Sequence, residues 1–307
     1  GAASGDVTVS STGAASSLVA VSALGAEGPI AISAVNVAYT QDFDGLPSTG
    51  SASFVSSVAP IAGWYAARSG GLATQVTAND GASNAGNLYS FGVGPDTDRA
   101  LGSLGSAATG AVAYGALFKN TTGTTITDLK IAYRGEQWRA TTAAAQSVEF
   151  YWLTSPTPIT TFDNTFAGYN FEANLTYASP IFSVAADTAL DGNDPLNQVT
   201  LDYTIPGLSI APGDEFAIKF VDIDNAGADH ALAIDGFSLI ANPGVGPTFP
   251  NGDADADTFV NVADVTAIHN FLAAVTGPVP GDGDYDNDGD VDINDANALV
   301  NALVNAP

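Results

Sequence analysis

Short apolar segments alternate with turn residues from about residue 35 to residue 241. The segments are rich in Val, Ile, Thr, Tyr and Phe, and Gly, Asn, Asp and Pro lie between them. The clearest segments are 110–119, 125–134, 147–153, 199–205, 215–223 and 230–240. Because β-branched and aromatic residues favour strands and the turns are closely spaced, the pattern predicts antiparallel strands throughout. We expect a mainly β fold, a jelly-roll β-sandwich.

The C-terminal part of the chain has a helical period instead. Apolar residues recur there in two stretches, at Val265, Ile268, Leu272 and Val275, and at Leu299, Val300, Leu303 and Val304. Pro and Gly crowd the segments that come before, at 243–247 and 277–281, so no helix enters from that side. The pattern predicts two units, each an acidic loop followed by a helix with one apolar stripe.

Each predicted helix follows a loop with the spacing of a calcium site. Asp or Asn stands at loop positions 1, 3, 5, 9 and 12 of residues 253–264 and 284–295, and position 7 offers a backbone carbonyl. Oxygen donors at these positions form the cage that Ca²⁺ prefers, so each loop is predicted to hold one ion. The expected ligands are Asp253, Asp255, Asp257, Phe259, Asn261 and Asp264, and Asp284, Asp286, Asp288, Asp290, Asp292 and Asp295.

This arrangement of loop then helix, repeated twice, resembles a dockerin, the small calcium module that docks onto a cohesin β-sandwich. The resemblance covers about residues 250–307, and position 12 is Asp rather than Glu in both loops, which is the dockerin habit. Thr258 departs from the usual Gly at position 6, so we expect weaker binding in the first loop. An acidic solvated tail is the alternative, but it does not explain why the apolar positions repeat in register with the loops.

Charge supports a cation-binding role. The 307 residues include 33 Asp and Glu against 7 Lys and Arg, a net charge of −26, and no Lys or Arg follows Lys219. The C-terminal carboxylates therefore repel one another until a divalent cation binds, which couples metal binding to folding. Nucleic acid and anionic membrane surfaces are poor partners for such a chain.

Composition favours an extracellular protein. The chain has no Cys for disulfides or thiol chemistry, no Met, and no apolar run of the roughly 18 residues that a membrane span needs. The missing first Met and the small residues 1–4 suggest a mature chain cut by signal peptidase. We therefore expect secretion, to the medium or to the cell surface.

The first residues favour an arm rather than a domain. Residues 1–29 are rich in Ser, Ala and Gly, with short apolar alternations at 7–9 and 18–21. Such a composition favours a mobile segment, and a strand donated to the sheet edge of another subunit is the simplest way to order it. The expected domains are an arm at 1–34, a sandwich at 35–241, a linker at 242–250 and a dockerin-like domain at 251–307.

Segments 42–47 and 232–239 resemble the opening and closing strands of bacterial extracellular jelly-roll domains akin to carbohydrate-binding modules. In such folds these strands pair and share a structural calcium, which makes Asp44 and Asp235 candidate ligands. Ordinary turn or edge carboxylates are the alternative. In the Asp-rich stretch 222–230, Asp222 and Asp224 are further candidates, although Asx-Gly clusters also form simple turns. His230 is expected to be a hydrogen-bonding loop residue.

Aromatic residues invite a sugar-binding interpretation. The side chains that could stack on pyranose rings or hydrogen-bond hydroxyl groups are Trp64, Tyr65, Trp138, Tyr151, Trp152, Arg134, Glu136 and Arg139. Packing in a sandwich core is the favoured alternative for the aromatic residues, since alternation along 149–152 turns two of four side chains inward in any case.

Evidence for catalysis is thin. No His-Glu-x-x-His, Gly-x-Ser-x-Gly, phosphate-loop or dinucleotide motif is present, and two His without Cys leave little for zinc or nucleophilic chemistry. A glycosidase needs only two carboxylates, so the absence of motifs does not remove that class. We expect a non-catalytic protein.

A sandwich and a dockerin-like unit in one chain supply both halves of a docking pair, because a cohesin is itself a jelly-roll-like sandwich. Head-to-tail docking between copies builds an open filament or tube unless it closes into a ring. The leading hypothesis is a secreted structural protein that self-assembles into a calcium-stabilised extracellular filament or tube through docking and strand exchange. The alternative is a carbohydrate-binding subunit attached through its dockerin to a cohesin scaffold.

Overall fold

The protein divides into two compact units. The computed structural model describes residues 7–9, 17–19, 28–54, 61–94, 96–242, 254–255, 260–273, 283, 285 and 291–304. The units are Gly1–Pro243 and Gly244–Pro307. The division between them lies inside the segment that the sequence assigns to a linker.

The first unit is built from strands. In chain order they are β1 Val7–Val9, β2 Ser17–Val19, β3 Ile30–Ile32, β4 Ala38–Gln41, β5 Ser51–Ser53, β6 Trp64–Arg68, β7 Gly71–Leu72, β8 Gln75–Asn79, β9 Asn87–Phe91, β10 Ala100–Leu104, β11 Val112–Asn120, β12 Leu129–Ala140, β13 Ser147–Ser155, β14 Asn170–Phe171, β15 Tyr177–Ala178, β16 Thr188–Ala189, β17 Gln198–Ile205, β18 Glu215–Asp222 and β19 Ala231–Ala241. Two short 3-10 helices, Ala173–Leu175 and Pro195–Asn197, lie among them. The six clearest predicted strands correspond to β11, β12, β13, β17, β18 and β19.

Two sheets account for the strands of this unit beyond the β1–β2 hairpin, among the described residues. Sheet I has the order β16-β12-β19-β10-β9-β8-β5, with β17 also paired to β12 and β4 to β19. Sheet II has the order β14-β13-β18-β11-β6-β7, with β15 paired to β13 and β3 to β11. The predicted antiparallel pairing holds except between β3 and β11 and between β8 and β9, which are parallel.

Large apolar side chains from both sheets meet in one core. Trp64 of sheet II packs edge-on against Phe237 of sheet I, with ring centroids 5.4 Å apart. Phe220 of sheet II lies edge-on against Tyr133 of sheet I at 5.0 Å. Since residues facing this core alternate along the strands with residues facing outward, the two sheets form a β-sandwich, as predicted. The finer assignment to a jelly roll stays a prediction.

The outer faces of the sandwich carry their own small clusters. On sheet I, Trp138 stacks on Phe91 at a centroid distance of 5.8 Å, and a Cβ on Gly192 would lie 2.3 Å from the indole nitrogen. On sheet II, Lys219 is fully buried, with Nζ 3.7 Å from the ring centroid of Tyr169 in the β13–β14 connection. The long connections therefore pack on the sheets at these positions.

The predicted arm at 1–34 reaches into the sandwich. Ile30–Ile32 form β3, which pairs in parallel with β11, and Ile32 is buried in the sandwich core. The boundary at residue 35 is therefore wrong, because a tertiary pairing with a strand far along the chain orders these residues. Val7–Val9 and Ser17–Val19 pair with each other as an antiparallel hairpin. Donation of a strand to another subunit stays a prediction.

The second unit contains two helices, α1 Val262–Leu272 and α2 Ile293–Val304, where the apolar spacing predicted them. They pack together through a small core made of Ala254, Val265, Ile268, Ala296 and Leu299. The predicted stripe is too wide, because Leu272, Val300 and Val304 are exposed, and Val275 lies outside the described residues. No helix among the described residues is long and apolar enough to cross a membrane.

Candidate functional site

The second unit repeats one pattern with a shift of 31 residues. Asp253 at the start of the first loop corresponds to Asp284 at the start of the second, since 284 − 253 = 31. The same shift takes the buried Ile268 of α1 to the buried Leu299 of α2. The two loop–helix copies therefore contribute equivalent side chains to their shared core.

Each helix carries a buried carboxylate in its first turn. Asp264 and Asp295 are both 0% exposed. Asp264 Oδ2 accepts a hydrogen bond from the backbone N–H of Asn261 at 2.7 Å, and Oδ1 accepts one from the N–H of Asp255 at 3.1 Å. Asp295 Oδ2 accepts from the N–H of Asp292, also at 2.7 Å. In both copies, the residue at loop position 12 thus holds its own loop against the start of the helix.

These groups fit the oxygen donors that calcium requires. The predicted ligands that the structure describes are Asp255, Asn261, Asp264, Asp292 and Asp295, and those outside the described residues are Asp253, Asp257, Phe259, Asp284, Asp286, Asp288 and Asp290. The unit has no Lys or Arg to compensate its carboxylates. Among the described residues, no group of three or more Asp, Glu or His is arranged to hold a metal. A complete cage therefore needs the remaining loop residues.

Exposed apolar side chains also repeat with the same shift. Val262 and Ile293 are the first residues of α1 and α2, and they are 72% and 46% exposed. Leu272, Val300 and Val304 add further exposed apolar surface to the helices. Single exposed apolar side chains are common on protein surfaces, and contiguous apolar patches mark binding sites, so the repeat makes Val262 and Ile293 candidates for a docking surface. Val262 and Ile293 are not among the residues predicted from the sequence, although an apolar residue directly after loop position 9 in both copies is a signal for them.

Two carboxyl groups at the end of β18 and in the connection to β19 have raised pKa values. Asp222 is buried, and its Oδ2 accepts a hydrogen bond from the hydroxyl of Ser103 at 2.8 Å. Burial raises the pKa of Asp222 to about 7. Burial also raises the pKa of Asp229 to about 6, and the neighbouring charge of Asp224 adds to this shift. Calcium binding by Asp222 and Asp224 stays a prediction.

A polar pocket of about 340 Å³ opens beside this connection, bordered by Asp224, Asp229 and Arg139. Arg139 Nη1 donates to the carbonyl oxygen of Gly81 at 3.2 Å, and Nη2 lies 3.5 Å from the carboxylate of Asp187. The Nε of Arg139 has no hydrogen-bond partner within the described part of the chain. The structure thus places one of the predicted sugar-binding side chains at a pocket.

Arg134 and Glu136, the other polar side chains predicted to contact sugar, form a charged cluster with Asp235. Arg134 donates through Nη2 to Asp235, and its Nε lies 3.4 Å from Glu136 Oε1. Glu136 is buried and accepts a hydrogen bond from the indole nitrogen of Trp138 at 3.1 Å. Burial, followed by the charge of Asp235, raises the pKa of Glu136 to about 8. Glu136 and Asp235 are therefore buried beneath Arg134, whose side chain stays 42% exposed.

The opening strand predicted at 42–47 is wrong, because these residues form a turn that follows β4. It is β4 that pairs with the closing strand, β19. The two carboxylates predicted near them have different partners. Asp44 is exposed and accepts a hydrogen bond from the backbone N–H of Arg99 at 3.1 Å, whereas Asp235 is buried against Arg134. Calcium shared by Asp44 and Asp235 stays a prediction.

The predicted sugar-stacking aromatic residues lie mostly inside the protein. Trp64 and Trp138 are 0% exposed and Tyr65 is buried, so none of the three offers a ring face to solvent. Trp64 packs in the core between the sheets, as the favoured interpretation has it, whereas Tyr65 and Trp138 pack in separate buried clusters. Tyr151 and Trp152 are half-buried. Tyr151 stacks on Phe166 at a centroid distance of 4.9 Å.

His230 is a hydrogen-bonding residue, as predicted. The ring is buried, Nδ1 accepts from the backbone N–H of Thr141 at 3.0 Å, and Nε2 lies 3.2 Å from the carbonyl oxygen of Ala144. Burial lowers the pKa of His230, which favours the neutral ring that this pairing requires.

No protein-family model and no curated protein matches the chain. Among solved structures, it is similar to the CBM22-1 xylan-binding domain of Paenibacillus barcinonensis Xyn10C, with 11% identity over 68% of this chain and 97% of that chain and a TM-score of 0.31. It is also similar to the K2 cleaved adhesin domain of Lys-gingipain, with 12% identity over 66% of this chain and 97% of that chain and a TM-score of 0.32. The xylan-binding module CBM15 is 11% identical over 63% of this chain and 97% of that chain, with a TM-score of 0.25. Similarity at this level carries no argument about function, so the proposals below rest on this chain's own residues.

Proposed function

We propose that the protein is a secreted, non-catalytic structural protein whose C-terminal unit binds two Ca²⁺ and docks on the β-sandwich of another copy of the same chain. Repeated head-to-tail docking then builds an extracellular filament or tube. Strand exchange by the N-terminal residues reinforces the contact between neighbouring subunits.

One observation carries the proposal. In both loop–helix copies a buried carboxylate, Asp264 or Asp295, lies two residues after an exposed apolar side chain, Val262 or Ile293. The carboxylate belongs to the predicted calcium loop, and the apolar side chain begins the helix. Calcium, when bound, would neutralise the loop carboxylates and hold both helix starts in place. Metal binding and the presentation of an apolar docking surface are thereby linked in each copy.

The alternative function is a carbohydrate-binding subunit that docks on a separate cohesin scaffold. It uses the same calcium unit but a different partner. Such a protein stays monomeric with calcium and binds polysaccharide, whereas a self-assembling chain grows into large particles.

The first experiment tests calcium-dependent assembly of the full chain by light scattering and electron microscopy. The variant Asp253→Ala with Asp284→Ala removes the first ligand of each loop, which should lower calcium affinity by orders of magnitude and abolish assembly. A strong chelator should have the same effect on the wild type. The control is Asp202→Ala with Asp42→Ala, two exposed sandwich carboxylates, which should assemble normally. Particles that persist after all calcium has been removed would refute the mechanism.

A second experiment separates docking from metal binding. Asp is well tolerated in the first turn of a helix, so Val262→Asp with Ile293→Asp should leave both helices and both calcium sites intact. Assembly should nevertheless be lost, because two charges replace the exposed apolar side chains. Calorimetry counts the calcium ions and scattering measures the particles. Normal assembly by this variant would show that docking uses another surface.

A further inference from the structure

A second polar pocket lies on the sandwich, away from the predicted calcium loops in sequence. Its volume is about 550 Å³, within the range of small-molecule sites. Turn residues and the end of β8 line it together with one buried arginine, and the lining polar side chains used below are Ser48, Asn79, Asp80, Ser83 and Arg99. No aromatic side chain is among the described residues that line the pocket, so a ligand here is recognised through hydrogen bonds.

Two buried donors that border this pocket are left unused. Asn79 is 8% exposed and Arg99 is 1% exposed. Neither Asn79 Nδ2 nor Arg99 Nη1 has a hydrogen-bond partner among the residues that the structure describes. Buried N–H groups are nearly always paired in folded proteins, so two of them beside one pocket point to a ligand that supplies the acceptors.

The other atoms of both side chains are held in place. Asn79 Oδ1 accepts from the backbone N–H groups of Gly81 and Ser83, at 3.0 and 3.3 Å. Arg99 donates through Nε to the hydroxyl of Ser90 at 2.9 Å and through Nη2 to the carbonyl oxygen of the same residue. The free N–H groups therefore have fixed directions, which lowers the entropic cost of binding.

Gly92 makes room for the guanidinium. A Cβ at this position would lie 2.1 Å from Arg99 Nη1, which no side chain could accept without displacing the arginine. The missing side chain of Gly92 therefore leaves the space that Arg99 Nη1 occupies beside the pocket.

The charges around the pocket select a neutral ligand. The carboxylates of Asp96, Asp98 and Asp80 all act on the one guanidinium of Arg99, and the whole chain carries a net charge of −26. An anion is repelled by this field, and a metal cation gains nothing from two N–H donors. A neutral molecule with many hydroxyl groups can accept from both donors and donate to Asp80, Ser48 and Ser83.

We propose that this pocket binds a neutral saccharide, whose oxygen atoms accept hydrogen bonds from Asn79 Nδ2 and Arg99 Nη1. The inference deepens the alternative function above by giving it a site. It does not depend on calcium-dependent docking, because every lining residue belongs to the sandwich.

The test is calorimetric titration of the full chain with neutral oligosaccharides of glucose, xylose, mannose and galactose, and with oligomers of galacturonic acid as the charged counterpart. Asn79→Asp keeps Oδ1 for the turn and replaces the free donor with an acceptor. Ala82→Ile fills the pocket from an exposed position. Asn193→Asp, outside the lining residues, controls for the added charge. Tryptophan fluorescence confirms that each variant is folded.

We expect at least one neutral oligosaccharide to bind, with both pocket variants at least about tenfold weaker and the control unchanged. Three results would overturn the proposal: no binding of any neutral oligosaccharide at millimolar concentration, equal binding by both pocket variants, or tighter binding of the galacturonic acid oligomers. Loss of assembly without calcium tests the docking proposal separately, so the two failures are distinguishable.

Discussion

The sandwich and the C-terminal unit both bury carboxyl groups, but the two units differ in what offsets the cost of burying the negative charge. In the sandwich, Asp222 and Glu136 are buried, and burial raises their pKa values to about 7 and about 8, so both hold a proton to a higher pH than an exposed carboxyl group does. In the C-terminal unit, Asp264 and Asp295 accept hydrogen bonds from backbone N–H groups and belong to Asp-rich loops with no Lys or Arg beside them in the sequence. We propose that calcium neutralises these loops.

The two units also differ in how much core they bury. Among the described residues, the sandwich core joins 35 buried apolar residues and the core of the C-terminal unit joins five. A small core without disulfides rarely supports a fold alone, and a bound metal is one of the usual supports. The sandwich should therefore fold by itself, while the C-terminal unit should need its ligand.

The largest expected effect follows from removing calcium. A strong chelator should unfold α1 and α2 and leave the sandwich folded, because only the small unit depends on the metal. All 3 Trp of the chain, Trp64, Trp138 and Trp152, lie in the sandwich, so their fluorescence reports that unit alone. Helical circular dichroism should fall while Trp fluorescence stays constant. If the helicity is unchanged in calcium-free protein, the C-terminal unit does not need calcium to fold, and the proposed difference between the two units is refuted.

A substitution in the sandwich core should destabilise the sandwich and leave the helices of the C-terminal unit folded. Phe220 is fully buried and contacts Tyr133 and Phe150 at centroid distances of 5.0 and 5.2 Å. Phe220→Ala should destabilise the sandwich by about 3–5 kcal/mol, because it leaves a cavity, and should spare the calcium-dependent helicity. Denaturant unfolding followed by Trp fluorescence measures the loss. The control is Phe171→Ala at a position that is 52% exposed, which should cost far less.

The stability of the sandwich should fall as the pH rises. Because burial raises the pKa of Asp222, Asp229 and Glu136 to about 7, 6 and 8, the folded state holds protons that the unfolded state has released. Their stabilising contribution is full below about pH 4 and is lost as the pH rises through the folded pKa values to about 8. Unfolding followed by Trp fluorescence between pH 4 and 9 checks this.

A matched pair of variants tests the source of the pH dependence. Asp222→Asn should flatten the part of the profile below pH 7, since the amide has no proton to lose. Asp202→Asn removes the same charge from an exposed site and should leave the profile unchanged. Identical profiles for Asp222→Asn and the wild type would show that burial of Asp222 is not the cause.

The smallest effect on stability is expected from deleting residues 1–24. The described strands of the sandwich core lie beyond this segment, so the melting temperature measured by Trp fluorescence should change little. Assembly should be impaired, because a strand offered to a neighbouring subunit would be lost. If the truncated chain assembles as well as the full chain, the N-terminal residues have another role.

The sequence alone determined the features that depend on neighbouring residues. Apolar alternation located the strands β11, β12, β13 and β17 to β19, and apolar spacing located α1 and α2. These patterns are local, because a strand or helix turns each side chain by a constant angle from the one before. The predicted calcium ligands are local in the same sense, since each set lies within twelve consecutive residues, 253–264 or 284–295.

Only the tertiary structure decided which distant residues meet. Ile32 joined the sandwich through β11, and Arg134 pairs with Asp235, 101 residues away. The pocket at Asn79 and Arg99 had no sequence signal, since its two free donors are defined by the absence of partners in three dimensions among the described residues. Such pairings depend on sheet order and register, because the local alternation of a strand is the same whichever strand lies beside it.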